Sequence, residues 1–254
     1  METEYYNEIC YENGAVRVLY EDNHIISVVK PRGILSQSDI SGDEDLLSLL
    51  KKDIAERKNK PGDAFVGLVH RLDRNTGGTM VFAKTSKGAS RLSEELRGGR
   101  FGKCYFALAE GNVPAEGGII LKNRLEKDEK ANAVRESGNG RECLLFIKSL
   151  AKKDGYTLVA AVPITGRTHQ IRAQLALFGY PLAGDKKYGA KALNGDFLGL
   201  WSAVVTVKHP VKDVRLVFES KPPREKFWKI FEEKVYNEAV PEMRDLAEKK
   251  YERA

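Results

Sequence analysis

Several features that would assign a compartment are missing from this 254-residue sequence. No apolar run approaches the roughly 20 residues that a transmembrane helix requires. Segment 1–13 carries four glutamates and no lysine or arginine, whereas a secretory signal begins with positive charge and continues with an apolar stretch. We therefore expect a cytoplasmic protein that has no membrane partner.

Residues that bind metals or nucleotide cofactors are also scarce. The three cysteines, Cys10, Cys104 and Cys143, are odd in number and lack C-x-x-C spacing, which argues against a disulfide framework and a structural zinc site. The four histidines are scattered along the chain. The P-loop, G-x-G-x-x-G, G-x-S-x-G and H-E-x-x-H signatures are absent. Neither a metal nor a cofactor is expected.

The composition is that of a folded protein with a modest basic excess. Hydrophobic residues make up 42% and charged residues 31% of the chain, which favours a globular fold over a disordered one. The formal net charge of +6 allows a polyanionic partner without requiring one.

Hydrophobic periodicity predicts many short strands and a few helices. The predicted strands are 15–20, 24–30, 65–70, 79–84, 103–109, 119–125, 131–135, 142–150, 156–162, 200–207 and 214–218. The predicted helices are 44–58, 86–97 with Ser86 as its cap, 168–178, and two C-terminal helices that Pro241 divides.

A polar cluster lies between two apolar strands at 69–78. Asp73 is flanked by Arg71 and Arg74 and is followed by Thr76 and two glycines. Neighbouring arginines keep a carboxylate ionised, which a nucleophile or a base requires. The alternative is a turn that surface ion pairs hold, and composition alone favours that alternative.

Two further stretches are candidates for chemistry. Segment 166–172 opens a predicted helix with two arginines, which is typical of an anion site, although a helix cap with a surface arginine is an equal alternative.

Strand alternation at 103–109 places Lys103 and Tyr105 on one polar face. A tyrosine there stacks on a base or accepts a proton, or is simply half-buried. The opposite face carries Cys104, Phe106 and Leu108.

Taken together, these stretches resemble the RluA-type family of RNA pseudouridine synthases. Three family blocks occur in order: H-R-L-D-x-x-T-[SG]-G-x-x-x-x-A-K at 70–84, K-x-Y-x-A-x-x-x-G at 103–111, and G-R-T-H-Q-I-R followed by G-x-P-[IL]-x-G-D-x-x-Y-G at 166–189. The turn at 22–33 and His209-Pro210 also match. The resemblance covers 16–218.

The sequence departs from the family pattern in small ways. The more usual Thr-Ser-Gly is Thr76-Gly77-Gly78 here, and the Leu-His-Ala of many relatives is Leu200-Trp201-Ser202, which changes the wall of the expected pocket. Because few residues precede position 16, we expect a stand-alone catalytic domain at 15–222 without an S4 RNA-binding domain. A C-terminal helical extension at 223–254 is expected to pack on it.

The resemblance implies both a fold and an activity. The fold is α+β, with a central mixed, mostly antiparallel sheet flanked by helices and loops, and an active-site cleft across the sheet. The activity is the isomerisation of uridine in rRNA or tRNA to pseudouridine, with no metal or organic cofactor. A monomer is expected.

The resemblance also implies roles for individual residues. Asp73 is the essential carboxylate, which either attacks C1′ or removes the C2′ proton to give a glycal. Arg172 pairs with Asp73 and orients it, with Arg167 as the second candidate. Tyr105 stacks on the uracil and takes part in C5 deprotonation, and Arg71 fills the gap that the flipped uridine leaves. The remaining substrate-binding candidates are His70, Thr76, Arg167, Ile171 and Leu200.

Two rival functions follow from other readings of the same residues. The first is an RNA-binding module of the same fold without catalysis, which the intact Asp73, Tyr105 and Arg172 argue against. The second is a glycoside hydrolase, which normally needs two carboxylates, and no second one stands out beside Asp73.

Basic side chains are also expected to bind the phosphates of the RNA. The candidate phosphate contacts are Arg74, Lys84, Lys103, Arg167, Lys186 and Lys187.

Overall fold

The computed structural model describes residues 8–59, 61–128, 131–191 and 197–249. These residues form two compact units, and each is described by itself. The first contains the described residues up to Phe101 together with Val205–Ser220, and the second contains those of Gly102–Val204 and from Lys221 onward. The predicted boundary at 222 stays a prediction.

The described residues form twelve strands, four α-helices and two 3-10 turns. The strands are β1 (Glu8–Tyr11), β2 (Gly14–Glu21), β3 (Ile25–Lys30), β4 (Gly67–Leu68), β5 (Gly77–Ala83), β6 (Gly102–Glu110), β7 (Ile119–Asp128), β8 (Ala133–Glu136), β9 (Arg141–Lys153), β10 (Tyr156–Pro163), β11 (Leu200–Lys208) and β12 (Arg215–Glu219). The helices are α1 (Leu46–Arg57), α2 (Ser86–Arg97), α3 (Gln170–Leu177) and α4 (Glu233–Glu248), and the 3-10 turns are Lys186–Tyr188 and Lys226–Ile230.

The first unit is built on antiparallel strands in the order β1-β2-β3-β5, with β4 also paired to β5. Every residue of β5 is buried, so this strand lies at the centre of the unit. Helix α2 begins after Thr85, whose side chain accepts the Gly88 N–H, so Thr85 takes the capping role expected of Ser86. Buried core residues include Ile25, Val81, Leu92, Phe101 and Phe218.

The second unit contains an antiparallel sheet in the order β6-β10-β9-β7-β8. Helix α3 packs against β7 to β10, and α4 packs against β6 and β10. The Phe106 and Tyr236 ring centroids lie 5.2 Å apart, so α4 covers the side of β6 that carries Phe106. Because side chains alternate along a strand, Lys103 and Tyr105 lie on the opposite side.

The expected division of the C-terminal region at Pro241 is wrong, because α4 continues through this residue. Proline lacks the N–H that would bind the Asn237 carbonyl, and it usually breaks a helix. Pro241 is exposed, so water can reach the carbonyl left without this partner. Tyr236 and Met243 are buried on either side of Pro241 and hold both halves of the helix in place.

The α+β class with mostly antiparallel strands is confirmed. The predicted strand at 65–70 is shorter than expected, since β4 contains two residues, Phe65 is 51% exposed and His70 lies outside the strand. Among the described residues, no helix combines the length and apolar character that a membrane crossing requires.

Candidate active site

The polar cluster of 69–78 covers the loop between β4 and β5 and the first two residues of β5. The Thr76 N–H donates to the Asp73 carbonyl at 3.0 Å and closes a turn at Asp73. The Ser36 hydroxyl donates to the Leu72 carbonyl at 2.7 Å and accepts the Leu72 N–H at 3.0 Å. The half-buried Asp73 is therefore held through the backbone on both sides.

A buried lysine binds the same loop. Lys30 Nζ donates to the carbonyls of Pro31, Arg74 and Thr76, each at 3.0 Å. Burial lowers the pKa of Lys30 to about 7, and the Asp73 carboxylate acts in the opposite direction. Lys30 thus ties the end of β3 to the residues that follow Asp73, a role that the sequence analysis missed.

The arginines beside Asp73 have different surroundings. Arg71 is exposed. Arg74 is also exposed, but its Nε donates to the Gly33 carbonyl at 2.9 Å and its Nη1 to Asp43 at 2.5 Å. Any phosphate that binds Arg74 must therefore compete with the Asp43 carboxylate.

Lys84 does not fit its expected role as a phosphate contact. Its ammonium group binds the Glu21 carboxylate and the Asp22 carbonyl, and its side chain is 5% exposed. That expectation is wrong, because the lysine is already paired inside the first unit. Lys186 and Lys187 are exposed.

His70 and Thr76 are both buried in the first unit. His70 Nε2 accepts the Val81 N–H at 3.1 Å, and its ring lies 5.0 Å from that of Phe101. His70 thereby supports β5, and its expected contact with substrate stays a prediction. Thr76 is 1% exposed, and its hydroxyl has no hydrogen-bond partner within the described part of the chain.

Lys103 and Tyr105 begin β6 in the second unit. Tyr105 is 6% exposed, so the expected polar face is in fact largely buried. Burial lowers the pKa of Lys103 to about 8. Lys103 Nζ lies 3.8 Å from the position that a Cβ on Gly166 would take, so the start of β6 adjoins segment 166–172.

Arg172 projects from α3 and binds Asp185. Its Nε and Nη2 donate to the two carboxylate oxygens at 2.7 and 2.8 Å. Asp185 belongs to the G-D-x-x-Y-G part of the third block, but its contact with Arg172 was not foreseen. The other candidates on this helix and on β11, Ile171 and Leu200, are 6% and 5% exposed.

The start of α3 differs from the expected anion site. The helix begins at Gln170 and not at Thr168, and His169 before it has a left-handed backbone with φ of 51°. The Arg167 N–H donates to Gln170 Oε1 at 3.0 Å, which occupies one of the backbone donors. The Arg167 residue itself is exposed.

Gly184 fixes the backbone immediately before Asp185. Its φ is +77°, and an added Cβ would overlap the Phe197 carbonyl oxygen. We expect Gly184→Ala to lower the free energy of unfolding by about 3 kcal/mol, from backbone strain and overlap together. Gly189→Ala is the control, because Gly189 has φ of +84° and no atom near its Cβ position, so only strain of about 1 kcal/mol is expected. If urea denaturation shows that the two variants lose the same free energy of unfolding, this account is contradicted.

The predicted catalytic residues belong to different units. Asp73 is part of the first unit, whereas Tyr105 and Arg172 are part of the second. The local contacts of these residues are therefore described within each unit separately. The assembly of the three into one site stays a prediction.

A groove of about 350 Å³ lies within the first unit, and the residues that line it are not among the predicted site residues. Residues that line it include Arg91, Glu95, Arg100, Lys208 and Asp213. Its cations already have partners: Arg91 binds the Pro210 carbonyl, Arg100 binds Glu95 and Lys208 binds Asp213. We therefore assign no chemistry to this groove.

Comparison with known proteins gives consistent matches. A family model described as RNA pseudouridylate synthase matches residues 24–177. The Bacillus subtilis (strain 168) protein named uncharacterized RNA pseudouridine synthase YhcT is 34% identical over 217 residues, which cover 84% of this chain and 70% of that protein. Ribosomal large subunit pseudouridine synthase C of Buchnera aphidicola subsp. Acyrthosiphon pisum is 33% identical over 184 residues. That match covers 71% of this chain but 56% of the relative, so the chain spans little more than half of its length.

A solved structure supports the fold. The protein named Human RNA Pseudouridylate Synthase Domain Containing 1 matches with a TM-score of 0.66 and 20% identity, and the match covers 82% of this chain and 84% of that one. At this identity the match bears on the fold alone.

Proposed function

The chain belongs to the RNA pseudouridylate synthase family, whose members are isomerases that act on RNA, and from this premise we propose that it converts specific uridines of structured rRNA or tRNA to pseudouridine. The observation that carries the proposal is that the family match at 24–177 contains Asp73, Tyr105 and Arg172 within one continuous stretch. The Buchnera relative is named for the large ribosomal subunit, which makes that RNA the first substrate to test.

The proposed reaction is an isomerisation. The N1–C1′ glycosidic bond of uridine breaks, the uracil turns over, and C5 bonds to C1′. The C5 proton then leaves and N1 gains a proton, so atoms and electrons balance without a co-reactant. We propose no metal and no organic cofactor.

Asp73 is the proposed essential carboxylate. It attacks C1′ directly or removes the C2′ proton to give a glycal, and both routes require the ionised form. Its proposed role is supported by the backbone contacts that Thr76, Leu72 and Lys30 make around its turn. Because the main chain at Asp73 is already held, less conformational freedom is lost when its carboxylate meets the substrate.

Arg172 and Tyr105 act on the same nucleotide in this proposal. Arg172 pairs with Asp73 and orients it, with Arg167 as the second candidate. Tyr105 stacks on the uracil and takes part in the removal of the C5 proton. The unperturbed tyrosine pKa of about 10 makes the phenol a weak participant in proton transfer unless its surroundings assist.

The target uridine must leave its stack before Asp73 can reach C1′. Extrusion of a nucleotide costs a few kcal/mol, and less in a loop than in a duplex. We propose that Arg71, which is exposed, fills the gap that the uridine leaves. The buried Thr76 hydroxyl is a proposed substrate contact, as are His70, Arg167, Ile171 and Leu200.

The net charge of +6 supports electrostatic binding of the RNA backbone. Such binding weakens as salt rises, because phosphate contacts release condensed counterions.

We propose a monomer that acts in the cytoplasm. The three free cysteines, of which Cys10 is exposed, are compatible with a reducing compartment.

Release of tritium from RNA labelled at uridine C5 tests the proposed activity directly. We expect the protein to release tritium from a [5-³H]uridine-labelled large-subunit rRNA or tRNA transcript, because the C5 proton leaves only when C5 joins C1′. Pseudouridine mapping of the same transcript should then identify one or a few positions.

The rival function, an RNA-binding module without catalysis, predicts a different result. A pure binder shifts the mobility of the RNA but releases no tritium. Binding without release, from both rRNA and tRNA transcripts, would contradict the proposed activity and support the rival.

A further inference from the structure

A buried carboxylate that has no role in the proposed chemistry binds Arg172. Asp185 accepts two hydrogen bonds from the guanidinium, from Nε at 2.7 Å and from Nη2 at 2.8 Å. The Arg172 side chain is 11% exposed and the Asp185 side chain 1% exposed. A two-bond pair of this kind sets the plane as well as the position of the guanidinium.

The edge that Asp185 occupies fixes the direction of the adjoining edge of the Arg172 guanidinium. A guanidinium carries five N–H donors in a fixed planar fork. Asp185 takes the edge formed by Nε–H and one Nη2–H. The adjoining edge, formed by one N–H from each Nη, therefore points in a fixed direction and has the spacing that a second carboxylate accepts.

The backbone around Asp185 leaves this carboxylate little freedom. Its N–H donates to the Leu182 carbonyl at 2.9 Å, and its own carbonyl accepts the N–H groups of Tyr188 at 3.0 Å and Ala190 at 3.1 Å. The preceding Gly184 has φ of +77° and leaves no room for a Cβ. The main chain of Asp185 is thus held by contacts that do not involve Arg172.

Tyr188 holds the guanidinium from a second direction. The Arg172 Cζ lies 5.1 Å from the Tyr188 ring centroid, a distance at which a cation is attracted to the ring face. The Tyr188 hydroxyl accepts the Val134 N–H at 2.9 Å and lies 2.9 Å from His169 Nδ1. The ring is therefore itself held in place.

We propose that Asp185 is a positioning residue, which fixes the plane of Arg172 and offsets part of its positive charge. This inference rests on the proposed function, in which Arg172 pairs with the ionised Asp73. An arginine without Asp185 would stabilise the ionised Asp73 more strongly and make it a weaker nucleophile or base. Asp185 thus keeps Asp73 both oriented and reactive.

Asp185→Asn tests this inference, because it keeps the shape of the side chain and removes its charge. We expect kcat to fall by about 10- to 100-fold, as when other supporting groups are lost, with KM nearly unchanged. The acid limb of kcat/KM should move to lower pH by about one unit, because the guanidinium then acts on Asp73 with its full charge. A merely structural role would not move this limb.

Two variants serve as controls for the charge. Asp185→Glu keeps the carboxylate but displaces it, so kcat should fall at least threefold while the acid limb stays at its wild-type pH. Tyr188→Phe keeps the ring and should also leave the acid limb in place. If Asp185→Asn does not fold, the Asp185→Glu variant carries the test, and a wild-type kcat for it overturns the inference.

The outcomes separate this inference from the function on which it rests. Tritium release by the wild type, with an Asp185→Asn variant whose acid limb is unmoved, overturns the role of Asp185 alone. A wild type that releases no tritium from the rRNA and tRNA transcripts overturns the proposed function and this inference together.

Discussion

Asp73→Asn is expected to reduce tritium release by about 10⁴-fold or more while RNA affinity changes by less than about threefold. Asparagine has nearly the shape of aspartate, so the turn closed by the Thr76 N–H and the Asp73 carbonyl is retained. Its amide can neither attack C1′ nor take a proton from C2′, and the loss is therefore expected on both proposed routes. Single-turnover tritium release and fluorescence anisotropy with the same transcript measure the two quantities.

Asp63→Asn is the matched control, because Asp63 is an exposed aspartate of the same unit. It should release tritium at the wild-type rate. An Asp73→Asn variant that keeps more than about a hundredth of wild-type activity contradicts the assigned role. Loss of RNA binding together with activity would instead assign Asp73 to binding or folding.

Lys30→Met is expected to lower the free energy of unfolding by about 2–4 kcal/mol at pH 7. Methionine is similar in length, but it leaves the carbonyls of Pro31, Arg74 and Thr76 without the donor that they share. The bond to Thr76 is buried and the other two are partly buried, and an unmet hydrogen bond is costly where water is excluded. Urea denaturation measures the change, and kcat should fall as well, because the loop around Asp73 loosens.

The same variant should reveal a pH dependence. The Lys30 pKa is about 7 in the folded protein against an ordinary 10.5, so between these values the unfolded chain binds a proton that the folded chain has lost. Wild-type stability therefore rises with pH through this window. The stability difference between wild type and Lys30→Met should widen by about 2 kcal/mol from pH 7 to pH 9.

Lys52→Met is the control for both Lys30 measurements. Lys52 lies in the same unit, and its side chain is 74% exposed. Its removal should change stability by less than about 0.5 kcal/mol at either pH. A difference between wild type and Lys30→Met that narrows toward pH 9 would contradict the lowered Lys30 pKa.

Local patterns were sufficient for most of the fold. The spacing of Leu46, Leu50 and Ile54 predicted α1, and these three residues are buried along it. The apolar run after Gly78 predicted β5. Such patterns succeed because burial of one face selects the period of the element. Pro241 was misjudged because the packing of Tyr236 and Met243 on either side of it overrides the local preference against proline.

The candidate site was only partly predictable. Motif order made Asp73, Tyr105 and Arg172 the candidates, but it gave no information on which groups hold them. The burial of Lys30 was not predicted, because a lysine is almost never fully buried unless it is paired. Its partners Arg74 and Thr76 are 44 and 46 residues away. Such long-range contacts leave no periodic signal in a sequence.

Lys84 was misjudged for the same reason. Its charge suggested a phosphate contact, but its partner Glu21 lies 63 residues earlier in the chain. Asp185 illustrates the opposite case, since its motif was recognised but its pairing with Arg172 was not predicted. Whether a charged residue meets solvent, substrate or another side chain depends on chain folding that local spacing does not encode.

The two sides of strand β6, one carrying Phe106 and the other Tyr105, can change independently in sequence. Phe106 contacts Tyr236 of the C-terminal helix, whereas Tyr105, one residue earlier, extends to the other side of the strand. A substitution in that helix can affect Tyr105 only by displacing the β6 main chain, which its pairing with β10 resists. The C-terminal helix is therefore free to diverge, provided that it keeps an apolar stripe, without altering the side of β6 that carries Tyr105.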